Sequence, residues 1–199
     1  MEHYFIAKEH SKEDYFTFKE NILNVNLEFK SCNDIFSKDR VDYGSKVLIN
    51  AVYKNFNLNN KVLDIGCGYG AIAIVLSKLF NNAKFYMCDI NSTAVELANY
   101  NIKLNKCTNV NKAIISDGYN NISDKFNFII TNPPIKAGKQ NLLNILKGAY
   151  DYLLDDGKLI FVIKKKHGEE SIKKELSSLF KQVDIIKRDS GYYILCCSK

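Results

Sequence analysis

The residues with the clearest chemical potential are Asn132-Pro133-Pro134-Ile135, a motif that holds both prolines of the chain. An amine on a nucleobase, like a carboxamide nitrogen, is a poor nucleophile because its lone pair is delocalised into a π system. The side-chain oxygen of Asn132 and the carbonyl oxygen of Pro133 could accept its two N–H bonds and aim the nitrogen at an electrophile. Proline fixes φ and adds no competing N–H donor. We therefore expect these four residues to form a catalytic segment that acts on an amine or amide nitrogen.

A second chemical motif is the glycine-rich segment Asp64-Ile65-Gly66-Cys67-Gly68-Tyr69-Gly70. Glycines allow a tight turn at the N-terminus of a helix, where backbone N–H groups can face a ligand. Its G-x-G-x-G spacing differs from the G-x-G-x-x-G of dinucleotide-binding enzymes, and the carboxylate of Asp64 would repel a pyrophosphate. That carboxylate could instead hold the ammonium of a methionine moiety, directly or through water. The sequence therefore predicts cofactor-binding roles for Asp64, Gly66, Cys67, Gly68 and Gly70.

Two more acidic residues follow the next two predicted strands. Asp89, before Ile90, stands where an acid can accept hydrogen bonds from both hydroxyls of a ribose. Asp117 could accept one from an adenine amino group, and Gly118 would leave room for the ring; taken alone, Asp117 could also be an ordinary turn or helix cap. An ammonium, a ribose and an adenine are all parts of S-adenosylmethionine, which we expect to be the cofactor. Its expected ligands here are Asp89, Ile90, Asp117, Gly118 and Asn132.

The hydrophobic pattern from residue 61 onward predicts the elements that position these motifs. Short apolar runs alternate with amphipathic stretches, which is typical of an α/β fold with a parallel sheet. Only four residues separate the last two strands, so these should pair as an antiparallel hairpin. The predicted sheet therefore has seven mostly parallel strands, at 62–65, 84–88, 110–116, 126–131, 158–163, 183–187 and 192–196, with helices at 71–80, 92–104, 139–153 and 169–180.

Residues 1–59 have a different pattern. Alternating residues around 15–18 and 23–27 predict small strands, and residues 45–56 predict a helix. We expect this segment to be a small N-terminal extension that packs on the cofactor and acceptor side of a core formed by residues 60–199. No Pro- or Gly-rich linker separates the two parts, so together they should form one compact domain.

These motifs together resemble those of the class I methyltransferases that methylate nitrogen, over residues 60–199. Upstream, residues 36–46 are similar to the segment that precedes the glycine loop in bacterial 16S ribosomal RNA guanine-N2 methyltransferases of the small-subunit methyltransferase C type. The resemblance implies a Rossmann-like fold, S-adenosylmethionine as methyl donor and a guanine N2 amine of 16S rRNA as acceptor. It also implies that Asp42, Gly44 and Ser45 lie near the cofactor and that Phe36 lines the acceptor pocket.

The chain departs from this family pattern in two ways. Ile135 stands where an aromatic residue often follows Asn-Pro-Pro, and the chain is about one domain long where longer members have two. An aromatic side chain would stack on the acceptor base, which contributes about 1–3 kcal/mol. Tyr43, Tyr69 or a residue of the N-terminal extension could take that role.

The charge of the chain favours a polyanionic partner. Lys and Arg number 28 against 22 Asp and Glu, a formal net charge of +6, which attracts polyanions without identifying them. The run Lys164-Lys165-Lys166 follows the fifth parallel strand and could neutralise RNA phosphates, or be a solvated loop. Lys38 and Lys136 could extend this basic surface. With the resemblance, we expect ribosomal RNA or the small ribosomal subunit as the partner.

The remaining sequence features exclude several classes. The six cysteines and three histidines never adopt the spacing of a metal site, so we expect no metal. The first residues lack a signal peptide, and no apolar run reaches the ~18 residues of a membrane span. We therefore expect a soluble protein of a reducing cytoplasm, with no membrane association.

Three alternatives to an rRNA guanine methyltransferase remain open at this point. A glutamine methyltransferase acting on a protein would use the same Asn-Pro-Pro acceptors, because a carboxamide nitrogen poses the same chemical problem. An adenine N6 methyltransferase would do so too, although 199 residues leave little room for a DNA-recognition domain. A non-enzymatic module that binds S-adenosylmethionine or RNA is the third.

Overall fold

The structure is a computed structural model that describes residues 14–134, 138–165 and 168–199. Nine strands and five helices lie in these residues. In chain order they are β1 (Tyr15–Ile22), β2 (Val25–Cys32), α1 (Tyr43–Asn55), β3 (Lys61–Ile65), α2 (Ala71–Leu79), β4 (Lys84–Asp89), α3 (Ser92–Leu104), β5 (Ile114–Ile115), β6 (Phe126–Thr131), α4 (Lys139–Tyr152), β7 (Leu153–Lys164), α5 (Glu169–Ser177), β8 (Gln182–Asp189) and β9 (Tyr192–Ser198).

The main sheet has seven strands in the order β5-β4-β3-β6-β7-β9-β8. Strands β3 to β7 pair in parallel, and β9 pairs antiparallel with both β7 and β8. This confirms the predicted α/β fold with a mostly parallel sheet and a C-terminal antiparallel hairpin. The chain runs outward from β3 to β5 and then returns to β6 on the other side of β3. In open α/β sheets, ligands bind at the carboxyl ends of the strands beside such a reversal.

Alternate residues of the central strands face two separate apolar layers. In β7, Ile160 and Val162 pack in the layer that contains α1, α2 and α3, whereas Phe161 and Ile163 pack in the layer of α4 and α5. All four side chains are buried. Strands covered on both faces need continuous apolar runs, which is why the strands are so visible in the sequence.

Three strand predictions were wrong in extent. The strand expected at 158–163 begins earlier, at Leu153. The strand expected at 110–116 is regular only at Ile114–Ile115, because the side chain of Asn99 bonds both the N–H and the C=O of Ala113 at 2.8 and 3.1 Å and replaces the ladder there. The strand expected at 23–27 is interrupted by a turn, since Leu23 and Asn24 adopt φ of 52° and 64°. Positive φ at two successive residues joins β1 and β2 as a tight hairpin.

The β1–β2 hairpin is attached to the core by two asparagines, one in the last turns of α3 and one that caps its C-terminus. Asn105 bonds the N–H and C=O of Glu28 at 3.1 and 2.8 Å, and Asn101 bonds those of Lys30 at 2.7 and 3.0 Å. The two asparagines are four residues apart along a helix and their partners are two residues apart along a strand, and both spacings are about 6–7 Å. The two carboxamides can therefore bond the edge of β2 as a neighbouring strand would. Asn101 also donates to the carbonyl of Tyr69, at 2.9 Å.

Residues 14–59 thus lie against the rest of the chain through both the hairpin and α1, which packs on α2, β7 and β9. The division of the chain at residue 60 stays a prediction. All six cysteines are buried free thiols. Among the helices that the structure describes, none is long and apolar enough to cross a membrane.

We expect Asn101→Leu to lower the free energy of unfolding by about 2–4 kcal/mol, because it leaves the buried carbonyl of Tyr69 and two partly buried backbone groups of Lys30 without a partner. Denaturant unfolding followed by circular dichroism would measure the change. Lys103→Leu, on the exposed side of the same helix, should change stability by less than about 0.5 kcal/mol. Equal effects of the two substitutions would show that the carboxamide does not anchor the hairpin.

Candidate active site

A cavity of about 1150 Å³ lies at the carboxyl ends of β3, β4, β6 and β7, beside the point where the strand order reverses. Such a volume exceeds that of a typical single-ligand pocket, so it has room for a cofactor and part of an acceptor. It brings together most of the site residues predicted from the sequence. Those on its wall are Phe36, Asp42, Ser45, Gly66, Cys67, Gly68, Asp89, Ile90, Asp117, Gly118, Asn132, Pro133, Pro134 and Lys164.

The side chain of Asn132 is held by two residues at the start of α1, its N-cap Asp42 and Ser45 in its first turn. Its Nδ2 donates to Oδ2 of Asp42 at 3.0 Å and to Oγ of Ser45 at 2.9 Å. Oδ2 of Asp42 also accepts from the backbone N–H of Ser45 at 3.2 Å and so caps α1. Asp42 and Ser45 line the cavity, and their side chains accept hydrogen bonds from the Asn132 amide. Their expected place beside the cofactor stays a prediction.

The glycine loop leaves β3 in a conformation that requires glycine. Gly66 and Gly68 have φ of 70° and 56°, and a Cβ built on either would meet no atom within 4 Å. These two positions therefore border open space on the cavity wall, where a ligand can approach the backbone. Gly70 also has positive φ, 93°, but it begins α2 and a Cβ there would lie 3.0 Å from Ile74 Cδ1. Gly70 does not line the cavity, and its small size serves packing.

Asp89 fastens this loop to the end of β4. Its Oδ2 accepts from the N–H of Gly68 at 2.8 Å and its Oδ1 from that of Asn91 at 2.9 Å. Burial raises the pKa of the Asp89 carboxyl, although these hydrogen bonds act in the opposite direction. Each carboxylate oxygen can accept a second bond. Asp89 can therefore hold the loop and still accept from two ribose hydroxyls.

The far end of the cavity has an aromatic wall that the sequence reasoning missed. Tyr119 stacks on Tyr152 with ring centroids 4.6 Å apart, and its hydroxyl donates to the carbonyl of Ile145 at 3.0 Å. All three line the cavity beside Asp117, whose side chain is exposed, and Gly118, with φ of 53°. A tyrosine directly after Asp117-Gly118 was the available signal. This wall is flat and apolar enough for an adenine ring.

Tyr192 is a second cavity residue that the sequence reasoning missed. It pairs across the sheet with Lys164, whose Nζ lies 4.8 Å from the ring centroid. A hydrogen bond to Tyr192 raises the pKa of the Lys164 ammonium. Because β9 is antiparallel, its first residue lies at the edge where the parallel strands end. Gly44 does not line the cavity; a Cβ there would lie 2.8 Å from Tyr192 Cε1, so this glycine makes room for the ring.

The remaining predicted residues lie off the cavity wall, offer no free ring face to it, or are not described by the structure. Tyr69 lines the cavity but is buried against Phe18 and Phe29 in edge-on contacts, which leaves no free face for a base. Tyr43 is 47% exposed and contacts Tyr192 with ring centroids 5.6 Å apart. Asp64, Lys38 and Lys165 are not on the cavity wall. Ile135, Lys136 and Lys166 lie outside the described residues.

The comparison with known protein families decides what this site belongs to. The model of the methyltransferase small domain matches residues 26–196, nearly the whole chain. The chain belongs to the methyltransferase small domain family. The uncharacterized protein YbxB of Bacillus subtilis is 37% identical over 200 residues, which cover 100% of this chain and 98% of YbxB.

Other relatives in the family are longer. Ribosomal RNA small subunit methyltransferase C of Serratia proteamaculans is 36% identical over 140 residues, which cover 68% of this chain and 39% of that protein. The protein of that name in Buchnera aphidicola subsp. Acyrthosiphon pisum is 32% identical over 186 residues, or 92% and 52% of the two chains. The chain therefore spans about half or less of the length of these rRNA methyltransferases.

The solved structures show the same fold. The 16S rRNA N2 G1207 methyltransferase of T. thermophilus, solved with AdoMet and guanosine, superposes with a TM-score of 0.82 at 22% identity and covers 93% of this chain and 50% of that one. TYW2 of M. jannaschii, solved with AdoMet, gives a TM-score of 0.65 at 22% identity and covers 96% and 87% of the two chains.

This methyltransferase uses S-adenosylmethionine (AdoMet). The buried carboxylate of Asp64 is suited to that cofactor. Asp64 is 1% exposed; its Oδ2 accepts from the N–H of Ala73 at 3.1 Å, and its Oδ1 has no hydrogen-bond partner within the protein. Burial raises its pKa to about 7. A buried carboxylate oxygen without a donor is costly. The ammonium of the methionine moiety, reached through water because Asp64 lies behind the cavity wall, would supply that donor.

We expect Asp64→Asn to stabilise the cofactor-free protein and to weaken AdoMet binding. The folded-state pKa of about 7 lies above the unfolded value of about 3.9, so the wild type loses stability as pH rises from about 4 to 7 and carries the full cost above pH 7. At pH 8 the variant should gain about 1–4 kcal/mol, and the gain should shrink toward pH 4. The carboxamide of the variant keeps an acceptor for the N–H of Ala73 but offers no charge to an ammonium.

Thermal unfolding at pH 5 and pH 8, with and without AdoMet, would measure both effects. Asp151→Asn, which removes an exposed carboxylate, is the control and should show neither. A gain in stability that is the same at both pH values, or an unchanged AdoMet dissociation constant, would contradict the assignment of Asp64.

Proposed function

We propose that this protein transfers the methyl group of AdoMet to the N2 amine of a guanine in 16S ribosomal RNA. The observation that carries the proposal is Asn132, which lies in the same cavity as Asp89 and the glycine loop with both hydrogens of its amide already bonded to the protein. Its Oδ1 is left to accept a hydrogen bond from an incoming amine. This arrangement suits an acceptor nitrogen that carries hydrogens.

The residues of the chain supply position and charge stabilisation, while AdoMet supplies a methyl group bonded to a positively charged sulfur. With AdoMet bound, the lone pair of the acceptor nitrogen would form a bond to the methyl carbon as the carbon–sulfur bond breaks and its electrons pass to the sulfur. One proton would then leave the methylated nitrogen to water. Asn132 Oδ1 and the Pro133 carbonyl accept the two N–H bonds and favour the pyramidal nitrogen that this attack requires.

Three features support an RNA base as the acceptor. The longer relatives are named as small-subunit rRNA methyltransferases. Phe36, 60% exposed, and Tyr192 offer aromatic surface on the cavity wall, which can stack on an unstacked base. Lys164 lies on the wall and the neighbouring Lys165 is exposed, where both could meet RNA phosphates.

The acceptor is tested by incubating the protein with methyl-labelled AdoMet and, separately, small ribosomal subunits, naked 16S rRNA and a cellular protein extract. We expect N2-methylguanosine after digestion of the RNA, and strongly reduced but measurable label with Asn132→Ala, which loses the amide but should still bind AdoMet. Label in glutamine would make the protein a glutamine methyltransferase, and N6-methyladenosine would make it an adenine methyltransferase. AdoMet binding without any labelled product would favour a non-enzymatic binding module.

We expect Tyr192→Leu to raise the KM for RNA by about 5- to 150-fold, because base–aromatic stacking contributes about 1–3 kcal/mol. The dissociation constant of AdoMet should change by less than about threefold. Steady-state kinetics and calorimetry would separate the two effects. Tyr192→Phe, which keeps the ring, should remain near the wild-type KM, and Tyr100→Leu, on an exposed part of α3, is the remote control. A KM for Tyr192→Leu that matches the wild type would exclude Tyr192 from base binding.

A further inference from the structure

The orientation of the Asn132 carboxamide is determined by its neighbours. A carboxylate only accepts hydrogen bonds, so the atom of Asn132 that lies 3.0 Å from Asp42 Oδ2 must be the nitrogen. Ser45 Oγ takes the same nitrogen at 2.9 Å. The two acceptors come from positions 90 and 87 residues before Asn132 in the chain. We call the three side chains the amide clamp.

A flipped amide would be strongly disfavoured in this site. Rotation by half a turn would place the carbonyl oxygen of Asn132 against the carboxylate of Asp42, which would lose a charge-assisted hydrogen bond and create repulsion. Ser45 is 7% exposed, so little water could replace its bond to the amide. The cavity therefore meets the acceptor end of the carboxamide and not its donor end.

The clamp also acts on the charge that develops during transfer. The acceptor nitrogen becomes positive as its bond to the methyl carbon forms. The negative charge of Asp42 polarises the amide through Nδ2 and makes Oδ1 a stronger hydrogen-bond acceptor. The same carboxylate oxygen caps α1 through the Ser45 N–H, at 3.2 Å, which holds it in place without the need to reorganise.

We propose that Asp42 and Ser45 are positioning residues that lock Asn132 as a hydrogen-bond acceptor, and that they thereby restrict the substrate to atoms that carry hydrogen. A guanine N2 amine satisfies this restriction, whereas a ring nitrogen with only a lone pair, such as guanine N7, would face Oδ1 with no hydrogen to donate. The inference rests on the proposed transfer to an amine. Asp42 and Ser45, two of the three residues that the resemblance placed near the cofactor, thus belong to the amide clamp.

Four variants separate the parts of this proposal. Asp42→Ser keeps a residue that caps a helix well but is too short to reach Asn132. Asp42→Asn keeps a cap and an acceptor and removes only the charge. Ser45→Ala removes the second acceptor from α1. Ser77→Ala is the matched control, because it removes a buried hydroxyl of α2 that bonds only its own helix, at Ile74.

We expect kcat to fall about 10- to 100-fold in Asp42→Ser and Ser45→Ala, with less than about a threefold change in the KM for RNA and in the dissociation constant of AdoMet. Asp42→Asn should recover part of the loss in kcat, and Ser77→Ala should match the wild type. In an Asn132→Ala background, Asp42→Ser should cause no further loss, because residues that act through one group are not additive. An equal loss in both backgrounds, or a loss of AdoMet affinity in place of kcat, would overturn the positioning role.

A second measurement does not depend on the acceptor. In the nitrogen-15 NMR spectrum, the side-chain NH₂ signals that disappear in Asn132→Ala belong to Asn132. We expect their hydrogen exchange to be at least tenfold slower than that of exposed asparagines, and to accelerate in Asp42→Ser and in Ser45→Ala. Fast exchange in the wild type would overturn the clamp even if guanine is methylated. Slow exchange with label found only in glutamine would retain the clamp and overturn the proposed RNA acceptor.

Discussion

The site depends on the parallel pairing of β3 with β4 on one side and β6 on the other. Parallel strands end at one edge of a sheet, so this pairing brings the glycine loop, Asp89 and Asn132 to one cavity although they follow three different strands. The backbone of the loop is fixed by the same sheet, because the N–H groups of Gly66 and Cys67 both donate to the carbonyl of Cys88 at the end of β4. Cofactor and acceptor groups are therefore positioned by the strands themselves.

Residues 14–59 complete a site that the sheet alone leaves open. The hairpin covers the glycine loop through the contacts of Tyr69 with Phe18 and Phe29, and the two asparagines at the C-terminal end of α3 hold it there. The start of α1 brings Asp42 to Asn132. This segment contributes no strand to the main sheet, yet it determines which end of the Asn132 carboxamide is free to accept a hydrogen bond from the substrate.

The acids of the site are held at a cost to folding that a cofactor can offset. Burial raises the pKa of both Asp64 and Asp89, so each carboxylate is less stable in the folded chain than in water. Asp89 compensates with backbone N–H donors, whereas one oxygen of Asp64 has none. A ligand that supplies the missing donor to Asp64 removes this cost, so the cost contributes to the affinity for the ligand. At Asp64, the stability of the cofactor-free protein and the affinity for the cofactor are therefore opposed.

Much of the fold and of the site could be predicted from the sequence, because buried parallel strands, glycine turns and the Asn-Pro-Pro motif leave local patterns. The extent of β5 could not, since a side chain of α3 replaces its ladder at Ala113. Tyr192 was missed because only the antiparallel pairing of β9 brings the start of that strand to the active edge. The link between Asp42 and Asn132 joins residues 90 positions apart. No local pattern encodes it, because it exists only when α1 packs on the folded sheet.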